Sequence, residues 1–76
     1  MTKIFISYLK GIRLTSGLSQ NQLAEILGIS RQSLSALESG KSQPTFRVAF
    51  AIAEYFHCPI EKLFTFKESA KRYAKL

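Results

Sequence analysis

Between Gln20 and Ser39 the chain reads QNQLAEILGISRQSLSALES, and few arrangements satisfy it. Leu23, Ala24 and Leu27 fall on one side of a helix that is capped by Ser19 and carried as far as Leu27. Gly28 can take the left-handed conformation that ends a helix. The apolar Ile29 after it lets the chain turn while staying pinned to a core. Ser30 caps a second helix, in which Leu34 and Leu37 repeat at i and i+3. Two helices joined by so few residues must cross steeply at close range, and Ala24 is the small side chain that allows it.

The outward face of the second helix carries Arg31, Gln32, Ser33 and Ser35, with the small Ala36 beside them. None of these suits a core, and together they suit the reading of base edges in a major groove. The stretch resembles the phage-repressor and Cro-type helix-turn-helix proteins. The family's small residue falls on Ala24, its turn glycine on Gly28, and its apolar positions on Leu23, Leu27, Ile29, Leu34 and Leu37. SGKSQPTFRVAFAIAEYFHCPIEKLF follows without a gap and is similar to the family's third to fifth helices, so the resemblance covers roughly Leu9 to Phe64.

Around this motif the chain, at 76 residues, is long enough for one domain with a modest core that gains from a partner subunit. Eleven Lys and Arg stand against five Glu and no Asp, a net charge of +6 that draws a small protein to polyanions. Nucleic acid is the first candidate, an anionic membrane the second, and plain solubility the alternative. The single cysteine, Cys58, excludes an internal disulfide, fits a reducing cytoplasm, and reads as a buried filler. No apolar run reaches the length of a membrane span, and MTKIFISYLKG lacks a signal-peptide cleavage site. The expectation is a soluble cytoplasmic protein with no membrane partner.

Phe5, Leu9 and Ile12 have helical spacing, and a first helix is expected from about Ser7 to Thr15, although Lys3 to Ser7 also fits a short strand. Gly11 lies inside that helix and is expected to face a neighbour. SGKSQP is a loop; Thr45 caps a fourth helix, Phe46 to Phe56, whose apolar stripe is Phe46, Ala49, Ile52, Ala53 and Phe56. Pro59 opens a short fifth helix that returns Ile60, Leu63 and Phe64 to the core. The fold class expected is all-α, a compact five-helix bundle over residues 1–64 with a basic tail over 65–76. Thr65 and Glu68 have capping-box spacing, which makes the tail a sixth, amphipathic helix; the rival reading makes LFTFK a strand.

His57, Cys58 and Glu61 cannot supply four ligands at zinc-like spacing, so no metal is expected. Without aspartate there is no Ser-His-Asp set, and no glycine-rich phosphate loop is present. No catalytic residue, no cofactor and no enzymatic activity are expected.

The resemblance implies that helix three lies in the major groove of double-stranded DNA while the N-termini of helices two and three approach phosphates. Gln20 matches the family's phosphate-binding glutamine, and Ser19, Ser39, Lys41 and Arg47 are expected to add backbone contacts. Base reading falls to Arg31, Gln32, Ser35 and Ala36, with Ser33 touching phosphate or base; Arg31 as a phosphate contact alone is the alternative. Ala36 stands where relatives often carry a polar reader, so the family's base preference does not transfer. Arg13 on helix one is expected to pair with Glu38 on helix three.

One helix reads too few base pairs to mark a genomic site, which points to a homodimer on a pseudo-palindrome. Tyr55, Ile60, Phe64, Phe66 and Tyr73 are the candidates for its interface, with ordinary core as the alternative. The expected function is a sequence-specific transcriptional regulator, a repressor for preference, whose output follows concentration and which leaves room for a protein partner. An antitoxin or a restriction-modification controller would bind DNA in the same way. A protein-interaction module without DNA binding sits poorly with Arg31, Gln32 and Lys41, and a membrane-surface peptide explains only the tail.

Overall fold

The computed structural model describes residues 3–68. Strand β1 (Lys3–Ser7) leads into helices α1 (Leu9–Thr15), α2 (Gln20–Leu27), α3 (Arg31–Ser39) and α4 (Phe46–Phe56). A single 3-10 turn, Ile60–Lys62, and strand β2 (Phe64–Glu68) follow. Leu9, Leu23, Leu34, Ile52 and Leu63 are fully enclosed, so each helix and the last turn contributes one side chain to a shared core.

The turn between α2 and α3 forms as its residues dictate. Ser19 Oγ accepts from the Gln22 backbone N–H at 3.1 Å while Gln22 Oε1 accepts from the Ser19 N–H at 2.8 Å, a closed capping box. Gly28 takes φ 71°, and the Ile29 N–H then reaches back to the Ala24 carbonyl at 3.0 Å. Ser30 caps α3 through the Ser33 N–H, and Thr45 caps α4 through the Val48 N–H.

The expected all-α bundle of five helices is corrected: four α-helices pack with a two-stranded antiparallel sheet. The residues after Pro59 make one 3-10 turn rather than a fifth α-helix. Neither does a sixth helix begin at Thr65, because residues 64–68 pair with residues 3–7, Phe5 opposite Phe66 and Ile6 opposite Thr65. Cross-strand aromatic contact outweighs the capping-box spacing: Phe5 stacks on Phe64 at 5.7 Å and meets Phe66 at 5.5 Å. With Lys3–Ser7 in the sheet, α1 starts at Leu9, whose N–H donates to Ser7 Oγ at 3.3 Å. The boundary drawn after residue 64 falls inside β2.

The sheet closes on the end of α3. Gly40 has φ 80°, and a Cβ there would stand 3.5 Å from the Phe5 carbonyl oxygen. Two residues depart from the sequence expectation. Gly11 faces open space, with nothing within 4 Å of where a Cβ would sit. Phe46, placed on the apolar stripe of α4, is 75% exposed; at the first position of the helix its ring meets Phe50 one turn on instead of the core.

Candidate nucleic-acid interface

The orientation of α3 is fixed from behind by a buried charge. Glu38 lies on the inner side of the helix, and Arg13 Nε donates to its Oε2 at 2.5 Å and Nη2 to its Oε1 at 3.2 Å. Arg13 Nη1 donates to the Leu18 carbonyl at 2.8 Å, and Gln20 Nε2 donates to Glu38 Oε1 at 3.0 Å. Both charged side chains are shielded from solvent, and the fork geometry satisfies the carboxylate on both oxygens. One network therefore ties α1, the start of α2 and α3 together.

With Leu34, Leu37 and Glu38 facing inward, α3 turns Arg31, Gln32 and Ser33 to solvent and leaves Ser35 and Ala36 half-exposed. Arg31, Gln32, Ser35 and Ala36 line one shallow depression together with Ser39 and Lys41. The four residues expected to read bases are thus continuous with two of those expected to hold phosphates. Lys41 is placed by the turn at the end of α3, where its N–H donates to the Ala36 carbonyl at 2.9 Å. The Ser33 hydroxyl accepts from Ser30 Oγ at 2.9 Å and keeps its own proton for an outside acceptor.

At the N-terminus of α2 the capping box uses the Ser19 and Gln22 N–H groups, which leaves those of Gln20 and Asn21 without a partner among the described residues. Such an end attracts an anion. The Gln20 amide gives one N–H to Glu38 and keeps a second. Lys10 joins Gln20, Ser35 and Ser39 around a neighbouring depression, a cation that the sequence reading passed over. Its signal was its place three residues ahead of Arg13, on the same face of α1. Arg47 lies apart, exposed on the outer side of α4.

The expected interface residues separate. Tyr55 and Phe66 are exposed, Ile60 is half-buried, and Phe64 is buried in the chain's own core against Phe5. Tyr73 lies outside the described residues. Among the described residues no group of three or more His, Cys, Asp or Glu could hold a metal ion, and no helix is long and apolar enough to cross a membrane.

A helix-turn-helix family model matches residues 9–63. An uncharacterized HTH-type transcriptional regulator of Methanocaldococcus jannaschii is 42% identical over 60 residues, spanning 79% of this chain and 91% of the relative. One from Archaeoglobus fulgidus is 37% identical over 60 residues, spanning 79% and 86%. The solved structure of a transcriptional regulator from Listeria innocua superposes with a TM-score of 0.70 at 23% identity, over 88% of this chain and 68% of that one, and shares the fold. The chain belongs to the helix-turn-helix family of DNA-binding proteins, and not to a family of enzymes.

Proposed function

We propose that this chain is a sequence-specific transcription regulator that lays α3 in the major groove of double-stranded DNA and acts as a repressor. The observation that carries this reading is the continuous surface of Arg31, Gln32, Ser35, Ala36, Ser39 and Lys41, held at a fixed angle by the buried Arg13–Glu38 pair. Arg31 offers a bidentate pair to guanine O6 and N7, and Gln32 one to adenine N6 and N7, each good for about 1–3 kcal/mol of discrimination. Ser35 adds a hydroxyl and Ala36 an apolar contact for a thymine methyl. Ser19, Gln20, Ser33, Ser39, Lys41 and Arg47, with Lys10 added, supply phosphate contacts that set register without reading sequence.

Repression needs only occupancy of the operator, and the reading asks nothing more of the chain. Two copies bind a pseudo-palindrome with half-sites about one helical turn apart, since one α3 reads too few base pairs to select a genomic site. A DNA-bound regulator works in the compartment that holds the DNA, the cytoplasm of a bacterium or archaeon.

Selection from a random duplex pool at physiological salt tests the reading. The wild type is expected to enrich an inverted repeat, and the Arg31→Ala, Gln32→Ala double variant to enrich none. Failure of the wild type to enrich any sequence overturns it.

A further inference from the structure

Gln32 and Ala36 belong to two concavities at once. On the side of Arg31 they line the shallow depression already described, and away from Arg31 they wall a cleft of about 430 Å³ that reaches the loop before α4. Ile29, Leu37, Pro44 and Val48 make its apolar parts, and Gln43 lines it from the loop. No charged residue lines this cleft, although the chain carries eleven Lys and Arg and a net charge of +6. Phosphates are held by cations and N–H groups. An uncharged wall with carboxamides and hydroxyls at its rim suits the edge of a base instead.

Gln43 is exposed, yet the backbone around it is tied on both sides. The N–H groups of Lys41 and Ser42 both donate to the Ala36 carbonyl, at 2.9 and 3.2 Å, which anchors the start of the loop to the middle of α3. At its other end Thr45 Oγ1 accepts from the Val48 N–H at 3.3 Å and opens α4. Between these anchors Pro44 holds Gln43 to an extended backbone, because the proline ring clashes with a helical residue before it. Little ordering of the loop is then left for the moment of binding. Ala36 completes the arrangement: its methyl group leaves the space between Gln32 and Gln43 open and offers no hydrogen bond of its own.

We propose that Gln43 is a specificity-determining residue, a second carboxamide that reads a base edge from outside α3. The inference rests on the reading above, in which α3 lies in the major groove, and deepens it by naming a reader that the helix itself does not carry. Gln43 pairs with N6 and N7 of an adenine, as a glutamine amide can, at a base pair that Arg31 and Gln32 do not read. Each half-site is therefore longer than the stretch under α3 alone.

Selection from a random duplex pool, run side by side with the wild type and Gln43→Ala, tests this; circular dichroism checks that the variant folds. The two selected repeats are expected to agree except at one adenine–thymine pair per half-site, specified by the wild type alone. In anisotropy titrations, replacing that pair is expected to weaken the wild type by about 5- to 150-fold and to leave Gln43→Ala indifferent. 7-Deazaadenine there, which lacks the N7 acceptor, is expected to weaken the wild type and not the variant. Identical selected repeats overturn the proposal. So does a variant that binds every duplex more weakly by one common factor, which makes Gln43 a phosphate contact. Either result leaves the regulator reading standing, whereas a wild type that enriches no sequence overturns both.

Discussion

Gln20 Nε2 donates to the same Glu38 oxygen, at 3.0 Å, that accepts from Arg13 Nη2 at 3.2 Å. A single carboxylate thus holds the first residue of α2 and a side chain of α1 against the inner side of α3. The sequence expectation gave Gln20 a phosphate and gave Glu38 only Arg13. In the structure the Gln20 amide gives one of its two hydrogens to Glu38 and keeps the other.

Breaking this network on one side leaves a buried charge without a partner. Arg13→Met or Glu38→Leu alone is expected to lower stability by about 3–5 kcal/mol. The double variant, which removes both charges, is expected to lose less than either single one. Urea denaturation of the three proteins at neutral pH measures it.

Two glycines in this chain answer oppositely to the same change. Gly11 sits inside α1 with open space around it, so Gly11→Ala is expected to stabilise by about 1 kcal/mol. In a domain of this size that raises the melting temperature by about 4–8 °C. Gly28 holds φ 71°, where a side chain costs about 1–2 kcal/mol, so Gly28→Ala is expected to lower it. Thermal melts read both.

Phe64 and Phe66 differ by burial although they share one strand face. Phe64→Ala empties a buried site and is expected to cost about 3–5 kcal/mol, whereas Phe66→Ala, half-exposed at the rim of the sheet, is expected to cost much less. Chemical denaturation distinguishes them.

Phosphate and base contacts are separable by salt. Lys10→Ala and Lys41→Ala are expected to weaken binding alike for every duplex and to lower the slope of log K against log salt by about 0.9 each. Arg31→Ala and Gln32→Ala are expected to flatten the preference among sequences. Anisotropy titrations of the selected repeat and a scrambled duplex at several salt concentrations read both effects.

The helical hairpin was legible in the sequence because its signals are local. Ser19 with Gln22, Gly28 and Ser30 each act within four residues of where they stand, and the structure places the caps where those residues are. The sheet was not legible in the same way, since the partners of residues 3–7 are some sixty positions away and a short segment such as KIFIS fits helix and strand equally. Periodicity misplaced Phe46 because it gives the angle around α4 but not whether anything lies beside the helix's first turn. Phe50, one turn further on, is exposed in the same way. Lys10 was missed for a similar reason, its relevance arising only when α1 is packed beside α2 and α3.

Whether the outward face of α3 is what meets DNA is answered by recording backbone amide resonances during titration with a short duplex at physiological salt. Shifts concentrated at Arg31, Gln32, Ser35, Lys41 and the free amides of Gln20 and Asn21, with the outer face of β1 and β2 unmoved, are the result expected. Shifts confined to the sheet, with α3 silent at saturating duplex, would contradict it.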